Sequence, residues 1–386
     1  MLTGMLIFPA INSIAQTDTA SHPVVNSPNG GSQKVLFPGA AISEYQYTQV
    51  QGSKGFGSFS PLTLFAIPLI KVNDNLFLDF AADLSVNSDG SATPGFDELV
   101  VYYRLTPWLY LFGGSFNPRY GIYNGWLDDF TNRFGTGVSP VGMGYGAENA
   151  DGIGIEGAFQ AGYSKIYYQL YTSNGPQVVI DSLTPLSQGN LSGQMNQSSI
   201  IDNNRNKNVG WCIGYLPFSN SNLEVNFSGA YTPQTGNTGT AYQNINNLVW
   251  AVGLNYYHLF SPIMIRAIGE YDGIQTSKFN YPIQQTDSTF TTYTYNNKYD
   301  GWFYGMTVRA AGSKNKWIKN FELAARIGAL NPPSDAPWGG SSINQTTVTL
   351  TYYLNWDIPL SFEYDVLTQN GAPTQKIFST VLFFRF

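Results

Sequence analysis

Gln375-Lys376-Ile377-Phe378-Ser379-Thr380-Val381-Leu382-Phe383-Phe384-Arg385-Phe386 is the stretch whose reading decides the fold. Phe378, Thr380, Leu382, Phe384 and Phe386 alternate with Ile377, Ser379, Val381, Phe383 and Arg385, so one face is greasy and uncharged. A two-residue period is that of a β-strand. An aromatic-heavy, uncharged face suits a strand that has lipid on that side. Taken alone, the stretch fits a buried strand of a soluble sandwich nearly as well. The return of the same period along the whole chain separates the two.

Composition points the same way. Only 11% of the 386 residues are charged, against about 25% in ordinary soluble domains. The chain holds 26 Tyr, 25 Phe and 40 Gly, many amphipathic rings and turn-formers with little to solvate a conventional surface. A mean hydropathy of -0.15 argues against a helical bundle, and no window reaches the roughly 18 to 20 consecutive apolar residues of a spanning helix. A net charge of -6 argues against a nucleic-acid partner. Two His and one Cys leave no disulfide framework and little material for a transition-metal site.

Working outward to the start of the chain, Leu2 to Ala15 is an apolar run closed by Ser13-Ile14-Ala15, which reads as a signal peptide over residues 1–15. No Lys or Arg precedes Lys34, and a short interfacial or buried helix is the alternative. Residues 16–40, rich in Ser, Thr, Pro, Asn and Gly, read as a flexible segment or small plug. Residues 41–386 carry the alternation. The strands read as Ala41–Gln51, Phe59–Val72, Leu76–Val86, Glu98–Leu105, Trp108–Phe116, Gly152–Gln160, Lys165–Ser173, Asn208–Leu216, Asn222–Tyr231, Asn247–Tyr257, Ile263–Ile274, Lys298–Arg309, Trp317–Gly328, Thr346–Asn355 and Leu360–Thr368, with the terminal one making sixteen. The number is even, as single-chain bacterial barrels require, and large enough to leave an aqueous channel. Short links, such as Val72–Asn75 and Thr106–Pro107, alternate with long ones, such as Asn87–Asp97, Asn117–Asp151 and Asn174–Lys207. Short turns on one side and long loops on the other are the pattern of an outer-membrane barrel. The fold predicted is therefore all-β: one transmembrane antiparallel β-barrel of about 16 strands, with a long loop folded inward.

Strand phase also proposes the interior charges. Residues opposite the apolar face look inward, which gives the basic candidates Arg104, Lys165, Arg266, Arg309, Arg326 and Arg385. The acidic ones are Asp79, Asp83, Glu156, Glu270, Glu322, Glu363 and Asp365. Mixed signs on opposed walls would set up a transverse field in a pore; for most of these side chains a wall-to-wall ion pair is the plainer role. The long segment 117–151 adds Arg119, Trp126, Asp128, Asp129 and Arg133. It either enters the lumen and narrows it, or packs over the barrel mouth.

One run in this region, Gly113-Gly114-Ser115-Phe116-Asn117-Pro118-Arg119-Tyr120-Gly121-Ile122-Tyr123-Asn124, followed by a Trp-containing segment and Gly152-Ile153-Gly154-Ile155-Glu156-Gly157, resembles the matching region of phosphate-selective-type porins of Gram-negative outer membranes. Tyr171-Thr172-Ser173-Asn174-Gly175 and Gly214-Tyr215-Leu216-Pro217 are similar to later landmarks of that group. The resemblance covers Leu76 to about Pro217. It implies a strand that ends in a pattern resembling G-x-F-x-x-P-F-G and runs into a loop folded inside the channel. The chain departs from the pattern in that Pro118 falls one residue early, Tyr120 stands in the aromatic place before Gly121, and the loop holds no Lys or Arg cluster.

Catalytic readings find little support. His258 has Ser261 three residues on, with no nucleophile-elbow pattern around any Ser. Asp128-Asp129 lacks the alternating oxygen ligands of a dedicated Ca2+ site, and Cys212 reads as a small packing residue. The expectation is a non-enzymatic outer-membrane porin without cofactor or metal. It would sit among outer-membrane lipid and lipopolysaccharide and pass small hydrophilic solutes or ions, with a homotrimer as a possible assembly and no nucleic-acid partner. The alternative is a loop-plugged docking barrel; a carrier with an N-terminal hatch would need a larger plug than residues 16–39 supply.

Overall fold

The computed structural model describes residues 35–60, 62–86, 90–122, 150–179, 195–196, 207–284, 289–333, 336 and 341–386. Sixteen wall strands close into one antiparallel barrel. They are β1 (Gly39–Val50), β2 (Phe56–Phe59, Thr63–Ala66 and Leu69–Lys71, an interrupted strand), β3 (Leu76–Val86), β4 (Ala92–Thr106), β5 (Leu109–Phe116), β6 (Ala150–Ala161), β7 (Ser164–Ser173) and β8 (Asn208–Leu216). The second half comprises β9 (Leu223–Thr232), β10 (Asn247–Phe260), β11 (Ile263–Thr276), β12 (Lys298–Arg309), β13 (Phe321–Asn331), β14 (Ile343–Asn355), β15 (Ile358–Gln369) and β16 (Gln375–Arg385). Each pairs with its neighbour in sequence, and β1 closes on β16 from Ala40↔Arg385 to Val50↔Gln375. Gly39 and Phe386 exchange backbone hydrogen bonds of 2.9 and 3.0 Å at the end of that seam. Closure removes the free edge that hydrocarbon cannot satisfy.

Burial is inverted relative to a soluble protein. Outward-facing Leu99 (55% exposed), Ile153 (65%), Leu111, Phe227, Leu254, Ile327 and Leu350 are open, whereas inward-facing Phe303 (0%), Glu156 (1%) and Glu363 (1%) are covered. This is what a strand requires when its apolar face meets lipid and its polar face meets the interior.

Four boundaries differ from expectation. The second strand is broken at Ile67-Pro68, since proline offers the ladder no N–H; Ile67 N–H donates instead to the Pro38 carbonyl (2.9 Å). Strand β4 starts at Ala92 rather than Glu98. A bulge between Ala81/Ala82 of β3 and Glu98/Phe96 of β4 interrupts its alternation, so the preceding loop is shorter than the sequence suggested. Lys316–Lys319 forms a short helix, α1, capped by the Asn315 side chain, and β13 begins only at Phe321. His258 lies within β10, stacked on Tyr256 and tilted against Phe260, so the strand runs past the expected end at Tyr257. On the long-loop rim, a hairpin of Phe279–Gln284 with Phe290–Tyr295 packs Tyr281 and Tyr295 against Ile245, Val178 and Met195.

Candidate functional site

The strand that ends at Phe116 does not turn out of the barrel. Asn117–Ile122 instead crosses the interior as a strap, held by acceptors on strands far apart in sequence. Asn117 N–H donates to Glu98 Oε1 on β4 (2.8 Å), and Arg119 N–H to Gln169 Oε1 on β7 (3.1 Å). Gly121 N–H donates to Ser228 Oγ on β9 (2.7 Å), and Ile122 N–H to the Glu270 carboxylate on β11. Tyr120 Oη donates to the Trp250 carbonyl on β10 (2.5 Å). An extended segment has no partners of its own, and buried backbone groups must find some. Here interior side chains of the wall supply them.

Packing reinforces these tethers. Tyr120 and Ile122 are buried in a cluster with Val249, Ala251, Ile268, Phe303 and Ala324, on the wall from β10 to β13. Two glycines make the fit. A Cβ on Gly253 would lie 2.6 Å from the Ile122 side chain, and one on Gly121, at φ +63°, would lie 2.5 Å from the Glu270 carboxylate. On the near side Arg119 reaches Glu156 (3.7 Å), which also accepts from Gln169 Nε2 (3.2 Å). Tyr167 donates to Glu224 (2.5 Å) and accepts from Asn226 (2.8 Å), whose amide also meets Cys212 Sγ (3.2 Å). Cys212 is thus a buried wall residue.

Register puts Arg104, Lys165, Arg266, Glu270, Arg309, Arg326 and Glu363 on the interior face. Arg119 lies on the strap. Asp128, Asp129 and Arg133, with Trp126, lie outside the described residues. The interior residues are spread around the wall: Glu270 accepts from Ile122 of the strap, Arg119 of the strap reaches Glu156, and Arg309 and Arg385 both lie by the Trp356 ring at the short-turn mouth. There Arg309 lies 4.4 Å from the Tyr353 ring and 5.6 Å from Trp356, and Arg385 lies 5.8 Å from Trp356. Arg266 Nε donates to Asn255 (3.0 Å).

The wall is not evenly wet. Asp79, Glu156, Glu270, Glu363 and Asp365, expected to face open water, are buried. Side chains of β14 cover part of them: the Thr349 hydroxyl donates to Glu363 (2.9 Å), and the Thr347 hydroxyl and the Gln345 amide donate to Asp365. Glu44, Gln46, Thr63, Asp83 and Ser85, on the β1–β3 arc away from the strap's cluster, remain half-buried. To the acidic candidates the register adds Glu44, Glu98, Glu224 and Asp272. On the basic side the strap adds Arg119, while Lys71 is tied to Asp74 in the first short turn (2.7 Å), which holds that carboxyl below its usual range through the Lys71 hydrogen bond and charge. Gln169, Ser228 and Glu224 carry the right phase in the sequence. Their role as tethers or partners had no local signal, because it depends on what crosses the barrel.

No protein-family model matches the chain, and no curated protein matches its sequence. Solved structures do. An anion-selective porin from Comamonas acidovorans matches at 10% identity over 91% of this chain and 99% of its own, with a TM-score of 0.56. The outer membrane channel DcaP of Acinetobacter baumannii matches at 12% identity over 91% and 97%, with a TM-score of 0.55. The trimer form of OmpT, an outer membrane protein of Vibrio cholerae, matches at 10% identity over 92% and 100%, with a TM-score of 0.51. At such identities the likeness carries the fold alone: the chain has the β-barrel fold of Gram-negative outer-membrane porins.

Proposed function

We propose that this chain is an outer-membrane porin, a non-catalytic channel for the passive diffusion of small hydrophilic solutes or ions, with segment 117–151 as its constriction. The observation that carries the reading is the strap: Asn117–Ile122 is tied to β4, β7, β9, β10 and β11 from inside the barrel. A segment so placed narrows the lumen on the β9–β13 side and leaves as the path the part of the β1–β3 arc lined by Glu44, Gln46, Asp83 and Ser85, beyond the buried cluster of Ala40, Ile67, Ala81, Val381 and Phe383. Fixed charges at close quarters then act on what passes. Acidic side chains outnumber basic ones on the described interior face, which favours cations. Assembly as a homotrimer fits the barrel, as the OmpT trimer form shares its fold.

Liposome swelling with sugars of graded size tests the reading. Rates that fall steeply with solute size support a constricted pore; no swelling with any sugar, beside swelling through a known porin, would sink it. The deep burial of Glu156, Glu270 and Glu363 favours a second reading, a loop-plugged docking barrel. That barrel would give neither swelling nor ohmic current.

A further inference from the structure

The turn from Ala310 to Asn320 is unlike the other short turns. It carries Lys314, Lys316 and Lys319, whereas the links between strands elsewhere on the same rim, such as Val72–Asn75 and Thr106–Pro107, hold no lysine. No acidic residue occurs between Arg309 and Phe321; the next, Glu322, faces the barrel interior opposite Arg309. The turn itself therefore holds three lysines and no carboxylate.

The turn is also built rather than loose. Asn315 Oδ1 accepts from Trp317 N–H (3.0 Å), Lys319 N–H donates to the Asn315 carbonyl (3.0 Å), and the Lys319 carbonyl accepts from Arg309 Nε (3.0 Å). This fixes Trp317 and Ile318 outward, 71% and 53% exposed. Trp317 stacks on Tyr352 (6.2 Å, 20° between planes), which pairs with Phe321 on the lipid-facing side. Along the same side run the exposed Leu323 and Leu350, cross-strand partners. Tryptophan at the headgroup level with lysines beside it, above an apolar wall, combines the two attractions of an anionic membrane surface.

We infer that this turn is a binding site for an anionic phospholipid, its headgroup phosphate held by Lys314, Lys316 and Lys319 and its acyl chains laid along Phe321, Leu323 and Leu350. The short-turn rim of such barrels faces the periplasm, which selects the phospholipid leaflet over lipopolysaccharide. The inference needs the membrane barrel but not the open pore, so conductance and lipid retention fail separately.

The test uses the full chain folded in a non-ionic detergent, titrated with phosphatidylglycerol or phosphatidylcholine and read by native mass spectrometry. Wild-type protein should retain phosphatidylglycerol preferentially. K314Q/K316Q/K319Q should lose about fivefold in retention per lysine, and the control K278Q/K298Q/K376Q should not. W317A should weaken retention of both lipids. Heat-modifiable gel mobility verifies that each variant is folded. Equal retention of the two lipids by wild type, undiminished retention by the triple variant, or a change of oligomeric state in that variant without loss of lipid would overturn the inference.

Discussion

Replacing Gly121 by alanine perturbs the strap at its tightest point. At φ +63° the backbone is left-handed, and an L-residue there costs about 1–2 kcal/mol. The added Cβ would lie 2.5–2.6 Å from the Glu270 carboxylate, so either the strap or Glu270 must move. That carboxylate accepts from Ile122 N–H, and losing a hydrogen bond to a charged group costs roughly 1.5–3 kcal/mol. Together these favour an undocked strap by about 2.5–5 kcal/mol, a factor of roughly sixty or more at 1.4 kcal/mol per decade. Gly162 is the control: its φ is +64° with nothing within 4 Å of a Cβ, so Gly162→Ala carries the backbone cost and touches no strap. Single-channel recording in planar bilayers reads the difference. Gly121→Ala should alter conductance or raise open-channel noise, and Gly162→Ala should match wild type. Wild-type traces from both variants, with folding intact, would refute the claim that the strap lines the path.

Other outcomes follow from the same geometry. Deleting Gly121 to Gly142 should raise conductance; an unchanged value means the loop lies outside the constriction. E363Q together with D365N removes two interior charges and should shift the reversal potential in a salt gradient toward that of a less cation-preferring pore, whereas no shift separates these residues from the path. Phe227→Arg places a charge on the lipid face and should destabilise the barrel by about 2–4 kcal/mol if it lies near the bilayer midplane, measured by urea unfolding in lipid vesicles. Cys212, fully buried in the wall, should resist a membrane-impermeant maleimide in the folded protein and react after denaturation; rapid labelling of the native form would contradict its placement.

The strand content of the wall was legible because burial in a barrel follows a period of two, and a period of two survives in the sequence wherever the ladder is regular. The interior phase of Arg104, Glu156 and Glu363 could be read on that ground alone. Legibility failed where geometry departs from the regular strand. The bulge opposite Ala81/Ala82 shifts phase and hides the part of β4 before Glu98. Trp317 and Ile318 look like strand residues by type, yet the Asn315 cap turns them into a helix. The strap was only half visible. Its resemblance to an inward loop rests on local residues, but the tethers at Gln169, Ser228 and Glu270 are 50, 107 and 148 positions away. Nor does phase tell how wet a wall is: Asp365 faces inward as its position demands, and Thr347 and Gln345 cover it.

Current through the refolded chain in a planar lipid bilayer bears on the whole account most directly. Discrete ohmic steps, with a reversal potential of cationic sign in a salt gradient, are the predicted result. A correctly folded barrel that inserts yet passes no current would contradict a solute path beside the strap.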